Sequence, residues 1–141
     1  MKIVNKKAFF DYQILERIEA GINLNGAEVK AIRGGLADLK GSFVKIIGSE
    51  AYLINAKIFP YKYARPQEYD ERRTRKLLLH KKEILALKSK AEGSNLNIIP
   101  LSVYTTKSFI KMELGLGKGK KEYQKKEAKK KKDLERDVER E

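Results

Sequence analysis

The run Tyr12-Gln13-Ile14-Leu15-Glu16-Arg17-Ile18-Glu19-Ala20-Gly21-Ile22, followed by Asn23-Leu24-Asn25-Gly26-Ala27-Glu28, decides the fold. In its first part Tyr12, Ile14, Ile18, Ala20 and Ile22 share one parity, while Arg17, Glu19 and Asn23 fall on the other. That alternation predicts a strand with one wet face. In its second part Asn25 and Glu28 have the spacing of a capping box, an Asx oxygen at the cap and a carboxylate three residues on. The chain should therefore turn from strand to helix over residues 27–33 and stop at Gly34-Gly35, where glycine supplies a left-handed exit.

Outward from this core the alternation continues. Residues 43–48 and 51–58 predict two short strands around Gly48-Ser49-Glu50, and Pro60 ends their pairing. Residues 96–104 and 109–116 predict another pair, the second setting Ile110, Met112, Leu114 and Leu116 against Phe109, Lys111, Glu113 and Gly115. About five alternating strands in a small domain favour a closed or nearly closed barrel over an open sheet with bare edges. Asp70 predicts the cap of a helical piece through the arginines that follow. His80, Ile84, Leu87 and Ala91 recur at helical spacing before Gly93. The expected fold is mainly β with flanking helices: a small antiparallel β-barrel, about three α-helices and a C-terminal tail, with no internal repeat. Residues 1–117 form the domain and 118–141 the tail.

Charge narrows the function. The chain carries 32 Lys and Arg against 19 Asp and Glu, net +13. The tail holds eleven of those bases and seven of the acids, so most of the excess lies on the body. Within the tail the charge is sorted, nine Lys against two Glu over 118–132 and five acids against two Arg over 133–141. With only Tyr123, Leu134 and Val138 as large apolar residues, the tail lacks the surface to offset its ordering entropy and should be disordered when free. Read alone it is either a solvating arm or a polyanion-binding one in which lysines meet phosphate and Tyr123 stacks on a base. A basic body attracts nucleic acid or an anionic membrane. An apolar run of transmembrane length, a signal-peptide core and a bulky basic amphipathic helix are all missing, which favours nucleic acid. No Cys and a single His80 leave no thiolate or His-cluster metal site, and fit a reducing cytoplasmic setting.

Catalysis finds little footing. His80 beside a helix start reads as a capping or packing residue, the carboxylates are scattered, and Gly115-Leu116-Gly117-Lys118-Gly119 lacks the following helix of a phosphate loop. It reads as a flexible joint between strand and tail. A nuclease or RNA-modifying enzyme would need turnover through His80. Binding chemistry is better supplied. Arg72, Arg73, Arg75 and Lys76 are four cations in five residues, and in a helix Arg72, Arg75 and Lys76 would share a face. Arginine's planar fork suits phosphate and base contact. Leu77-Leu78-Leu79 cannot all point inward, so one can be exposed against a base or sugar. Asn5-Lys6-Lys7, Lys30 and Arg33 could extend the same field, whose alternatives are a solvated surface or a general translation factor or ribosomal protein that binds structured RNA.

At this point five stretches align with a known family: Asn5-Lys6-Lys7-Ala8; Asp11-Tyr12 leading to EAGINLNGAEVKAIRGG (19–35); Pro60-Tyr61; RRTRKLLLHKKEI (72–84); and GKKEYQKK (119–126). Their order and span, nearly the whole chain, resemble small protein B, the SsrA-binding (tmRNA-binding) family of bacterial trans-translation. The resemblance implies an oligonucleotide-binding (OB-like) barrel that acts without cofactor, as a monomer in the cytoplasm. It would bind the tRNA-like domain of tmRNA and carry it to the decoding site and mRNA channel of stalled ribosomes. It also implies RNA contacts at Asn5, Glu19 and Leu78, amid the cations Lys6, Lys7, Lys30, Arg33, Arg73, Arg75 and Lys76. In the tail it implies ribosome contacts at Lys118, Lys120, Lys121, Tyr123, Lys125, Lys126, Lys129 and Lys130, made as the segment becomes helical. The chain departs from the family at Phe10, where His is frequent, at Ala27, where Thr is common, and at Gln124-Lys125-Lys126, which replaces Asp-Lys-Arg.

Overall fold

A computed structural model of the chain describes residues 1–61 and 69–120. Alternation builds its longest strand, Tyr12–Ile22 (β2), after a strand Lys2–Val4 (β1) and a short helix Lys6–Asp11 (α1). There follow helix Gly26–Arg33 (α2) and strands Ala37–Asp38 (β3), Phe43–Ile47 (β4), Glu50–Ile54 (β5), Lys57–Ile58 (β6) and Arg75–Leu78 (β7). Helix Lys81–Gly93 (α3) and strands Asn97–Thr105 (β8) and Ile110–Gly119 (β9) complete the described chain. The main sheet runs β1-β8-β4-β5-β7-β2-β9, and a further pairing of β8 with β9 closes it into a ring with β1 alongside. All these pairings are antiparallel. Closure leaves the ring strands no bare edge, as the short alternating strands led us to expect. No helix among the described residues is long and apolar enough to cross a membrane.

The interior holds Ala20, Ile22, Leu53, Leu77, Met112, Leu114 and Leu116, covered by Ala31 and Ile32 of α2 and Ile84 and Leu87 of α3. Fully burying one such leucine stabilises the fold by about 1.5–3 kcal/mol. A second cluster, Ala8, Ile99 and Leu101 with Phe9, Tyr12 and Ile14, lies on the other side of the β8–β9 ribbon beneath α1. Two bulges make this possible. The β2–β9 register slips between Ile14 and Glu16, and the β8–β9 register slips between Pro100 and Ser102. Each extra residue switches which face the following side chains take. Tyr12 and Ile14 thus join the outer cluster while Ile18, Ala20 and Ile22 join the inner one, although all five share parity in sequence. Gly115 and Gly117 give this outer cluster room. A Cβ on Gly115 would stand 2.8 Å from Leu101 Cδ1, and one on Gly117 2.9 Å from Ile99 Cδ1.

The structure corrects three expectations. The arginine run is not helical. Asp70 Oδ1 accepts from Arg72 N–H at 3.0 Å to form a local turn, and β7 begins at Arg75. Arg75 and Leu77 then face inward while Lys76 and Leu78 face outward, a period of two that the helical reading missed. The third helix is instead α1, capped by Asn5, whose side chain accepts from Ala8 N–H. Finally, residues 115–119 are no flexible joint: Gly117, Lys118 and Gly119 pair with Ile14, Gln13 and Tyr12. The capping box at Asn25 and Glu28 forms, and the left-handed residue after α2 is Gly35.

Candidate nucleic-acid interface

The residues named from the sequence separate into three places. The first is an open groove of about 630 Å3 on the outer surface, where the lysines Lys76, Lys81 and Lys111 alternate with Glu19, Glu50 and Glu83 around the exposed Leu78. Strand register assembles it: Gly21 lies opposite Leu78 on one side and Lys111 on the other, and Glu19 lies opposite Glu113. Leu78 is 54 % exposed, so it is the outward member of the three leucines, with Leu77 buried. Facing carboxylates repel across a strand pair. Here Arg17 Nη1 bonds Glu113 Oε1 at 3.1 Å, and the Tyr104 hydroxyl donates to Glu19 Oε2. Loss of water and then the Glu19 and Glu113 charges push the Tyr104 hydroxyl up to about 12, so Tyr104 stays a donor and holds Glu19 in place. The Tyr104 bond occupies Oε2, so Glu19 Oε1 can accept from a base amino group or a 2′-OH. Lys76 bonds Glu50 at 3.1 Å with both side chains exposed, a weak pair that a phosphate can displace.

The second place is interior. Arg75 is completely buried, and its guanidinium donates to Glu28, to the Ala56 and Arg73 carbonyls at 3.0 and 2.9 Å, and to Glu71 O at 3.1 Å. Glu28, itself 1 % exposed, also receives Arg73 Nη2 at 2.6 Å and the Asn25 N–H at 3.0 Å. Burial alone would push its carboxyl up. The bonds from Arg73, the Asn25 backbone and Arg75, with the Arg75 charge, outweigh this and hold it below its ordinary 4.5. One residue thus caps α2 and clamps it to β7. The geometry assigns Arg75 a structural role and leaves it no surface for RNA, while Arg73, partly exposed, is committed to the same carboxylate.

The third place surrounds α1. Asn5 is buried, donating to Pro100 O at 2.9 Å and Leu39 O at 3.3 Å, so it anchors α1 to β8 instead of presenting itself to a ligand. Lys6 and Lys7 are exposed, with Lys7 paired to Asp11 at 3.2 Å. The end of β9 arrives beside them. Lys118 is exposed there, and Lys120 donates from Nζ to Phe9 O at 3.1 Å. Apart from these, on α2, Lys30 Nζ lies 5.3 Å from the Tyr61 ring centroid and Arg33 is exposed in the last turn. Lys121, Tyr123, Lys125, Lys126, Lys129 and Lys130 lie outside the described residues. Lys111, Lys81 and Tyr104 escaped the sequence reading. Lys111 does sit on the polar parity of its strand, the one local signal that could have marked it.

The closed antiparallel sheet, with a leucine-bearing outer groove lined by lysines and glutamates on a chain of net charge +13, has the make-up of a small nucleic-acid-binding β domain. Residues 2–141 match the family model described as SmpB protein. The chain is 53 % identical over 135 residues to an SsrA-binding protein of Sulfurihydrogenibium sp. strain YO3AOP1, covering 96 % of this chain and 89 % of that one. It is 45 % identical over 137 residues to an SsrA-binding protein of Fusobacterium nucleatum, covering 97 % and 93 %. A chain of a solved structure described as "tmRNA-SmpB: a journey to the center of the bacterial ribosome" superposes with a TM-score of 0.72 and 44 % identity, over 86 % of this chain and 85 % of that one. The chain belongs to the SmpB protein family.

Proposed function

We propose that this chain binds the tRNA-like domain of tmRNA and brings it to stalled ribosomes for trans-translation. It performs no reaction of its own and acts in the cytoplasm as a monomer. The observation that carries this reading is the outer groove, where Glu19, Leu78 and the cations Lys76, Lys81 and Lys111 converge from four elements in a chain of this family. Glu19, held by Tyr104, gives a hydrogen-bond acceptor for RNA edges, lysines neutralise phosphate, and an exposed leucine packs on a sugar or base. The cations beside α1, Lys6, Lys7, Lys118 and Lys120, provide a second contact from which the tail reaches the small-subunit decoding site and mRNA channel. Tyr123 is the residue for stacking on a ribosomal base there.

Titration of the protein against tmRNA, an ordinary tRNA and a random duplex at one salt concentration tests this. Preference should fall in that order, and affinity should drop steeply with salt. Equal affinity for all three would replace the proposal with a general structured-RNA binder. Removing residues 121–141 should leave tmRNA affinity near normal and abolish tagging of stalled peptides. Normal tagging by that truncation would overturn the role of the tail.

A further inference from the structure

Leu78 stands between two depressions. Beyond it from the groove lies a pocket of about 330 Å3 between α2 and the turn joining β8 to β9, lined by Leu24, Val29, Leu78, Phe109, Arg33 and Lys111, with Gly21, Ile22, Ser108 and Ile110. Two cations and no carboxylate line it, so it favours an anionic ligand. Its volume is at the low end of the roughly 300–1,000 Å3 of small-molecule pockets, room for one ring system. Gly21 helps shape it, because a Cβ there would stand 3.1 Å from Leu78 Cβ.

Phe109 is 65 % exposed, the most exposed large apolar side chain among the described residues. The turn that carries it is nevertheless well tied. Thr106 N–H donates to Phe109 O at 2.8 Å, and the Thr106 hydroxyl accepts from Phe109 N–H at 3.1 Å and lies 3.2 Å from Phe109 O. Lys111 Nζ lies 5.7 Å from the ring centroid. Single exposed apolar residues are ordinary. Two of them, an aromatic face and an exposed leucine, sharing a pocket with two cations are not.

Resting on the RNA-binding reading above, we propose that this pocket holds one unstacked nucleobase of the bound RNA between Phe109 and Leu78, with its flanking phosphates at Arg33 and Lys111. A flat ring against an aliphatic wall accepts any base, so the pocket contributes affinity and placement more than sequence preference.

The chain contains no Trp, so Phe109→Trp installs a single fluorescent reporter at the pocket. Titrating that full-length variant with the tRNA-like domain of tmRNA should quench its emission in step with binding. Phe109→Ala should weaken binding roughly tenfold at fixed salt, within the range for base–aromatic stacking, and leave the salt slope unchanged. Lys111→Ala should lower that slope by about one. Saturating RNA that leaves the reporter unquenched, with Phe109→Ala binding normally, overturns the pocket and leaves the functional reading standing. A protein that shows no preference for the tRNA-like RNA, while a single-stranded oligonucleotide still quenches the reporter, overturns the functional reading and supports the pocket. Quenching that follows protein concentration without RNA assigns the pocket to a second copy of the chain and overturns the proposal.

Discussion

The interior cluster of Glu28, Arg73 and Arg75 and the outer groove of Glu19, Glu50, Lys76 and Lys111 are built from the same groups, carboxylates against cations, with opposite consequences. They are one residue apart along β7. Arg75 faces in and is saturated by Glu28 and three carbonyls, while Lys76 faces out and pairs only with an exposed Glu50. Inside, water cannot replace a lost partner, so each charge depends on the others for its solvation. Outside, water can, and the charges remain available to a ligand. The same chemistry therefore holds the fold together on one face of a strand and, on the function proposed above, meets RNA on the other.

The comparison breaks most readily at Arg75. Arg75→Ala removes the fully buried partner of Glu28, leaving it Arg73, and strands three carbonyls, so it should cost about 3 kcal/mol of stability, read from urea unfolding. RNA affinity per folded molecule should hold. A variant that unfolds like the parent yet binds RNA poorly would move Arg75 to the interface and dissolve the distinction. A smaller loss should come with acid. The Glu28 carboxyl sits below its unfolded value, so the stability it contributes is present above the ordinary carboxylate range and disappears as pH falls through the lower folded value. Unfolding midpoints measured down through that range should decline, and Glu28→Gln, already weakened, should decline less. An equal decline in both would deny Glu28 this role.

On the outer side the effects move from stability to binding. Glu19→Ala should weaken tmRNA binding by roughly 1–3 kcal/mol while stability changes by about 0.5 kcal/mol or less. The sign matters, because taking an acid from a basic protein ought to tighten any purely electrostatic contact. Tighter binding on its removal would reduce the groove to a patch of charge. Lys76→Ala should have the smallest effect, weakening every RNA alike and lowering the salt slope by about one, measurable by titration at several ionic strengths. A change confined to the tRNA-like RNA would give Lys76 a specific contact.

Much of this was open to reading from local pattern. The alternation of Tyr12–Ile22, the Asn25–Glu28 box, the helix that ends at Gly93 and the strands of residues 43–54 and 96–116 all depend on neighbours within four residues or on a single strand's own parity, whereas the expected strand 51–58 breaks at Asn55, in the left-handed region, and its end pairs with β3 instead. Such signals survive without knowing the rest of the fold. The exposure of one leucine in Leu77-Leu78-Leu79 followed from counting alone. The motifs pointed to the family because they are long and in order. They could not say that Asn5 anchors a helix or that Arg75 is interior, since a motif records which residues recur and leaves their burial unstated.

What the sequence by itself determined, then, was the longer strands β2, β4, β5, β8 and β9, the helices α2 and α3, a net basic charge and the family. Only the tertiary structure decided where along a strand the buried face changes. A bulge at Leu15 transfers Tyr12 and Ile14 to a second cluster, and it arises from pairing with β9, a hundred residues away in sequence. Glu28 reaches Arg75 across 47 residues, and Tyr104 reaches Glu19 across 85. Those contacts exist because closing the sheet brings distant strands into register, and register is a property of the pair. Neither strand carries it alone.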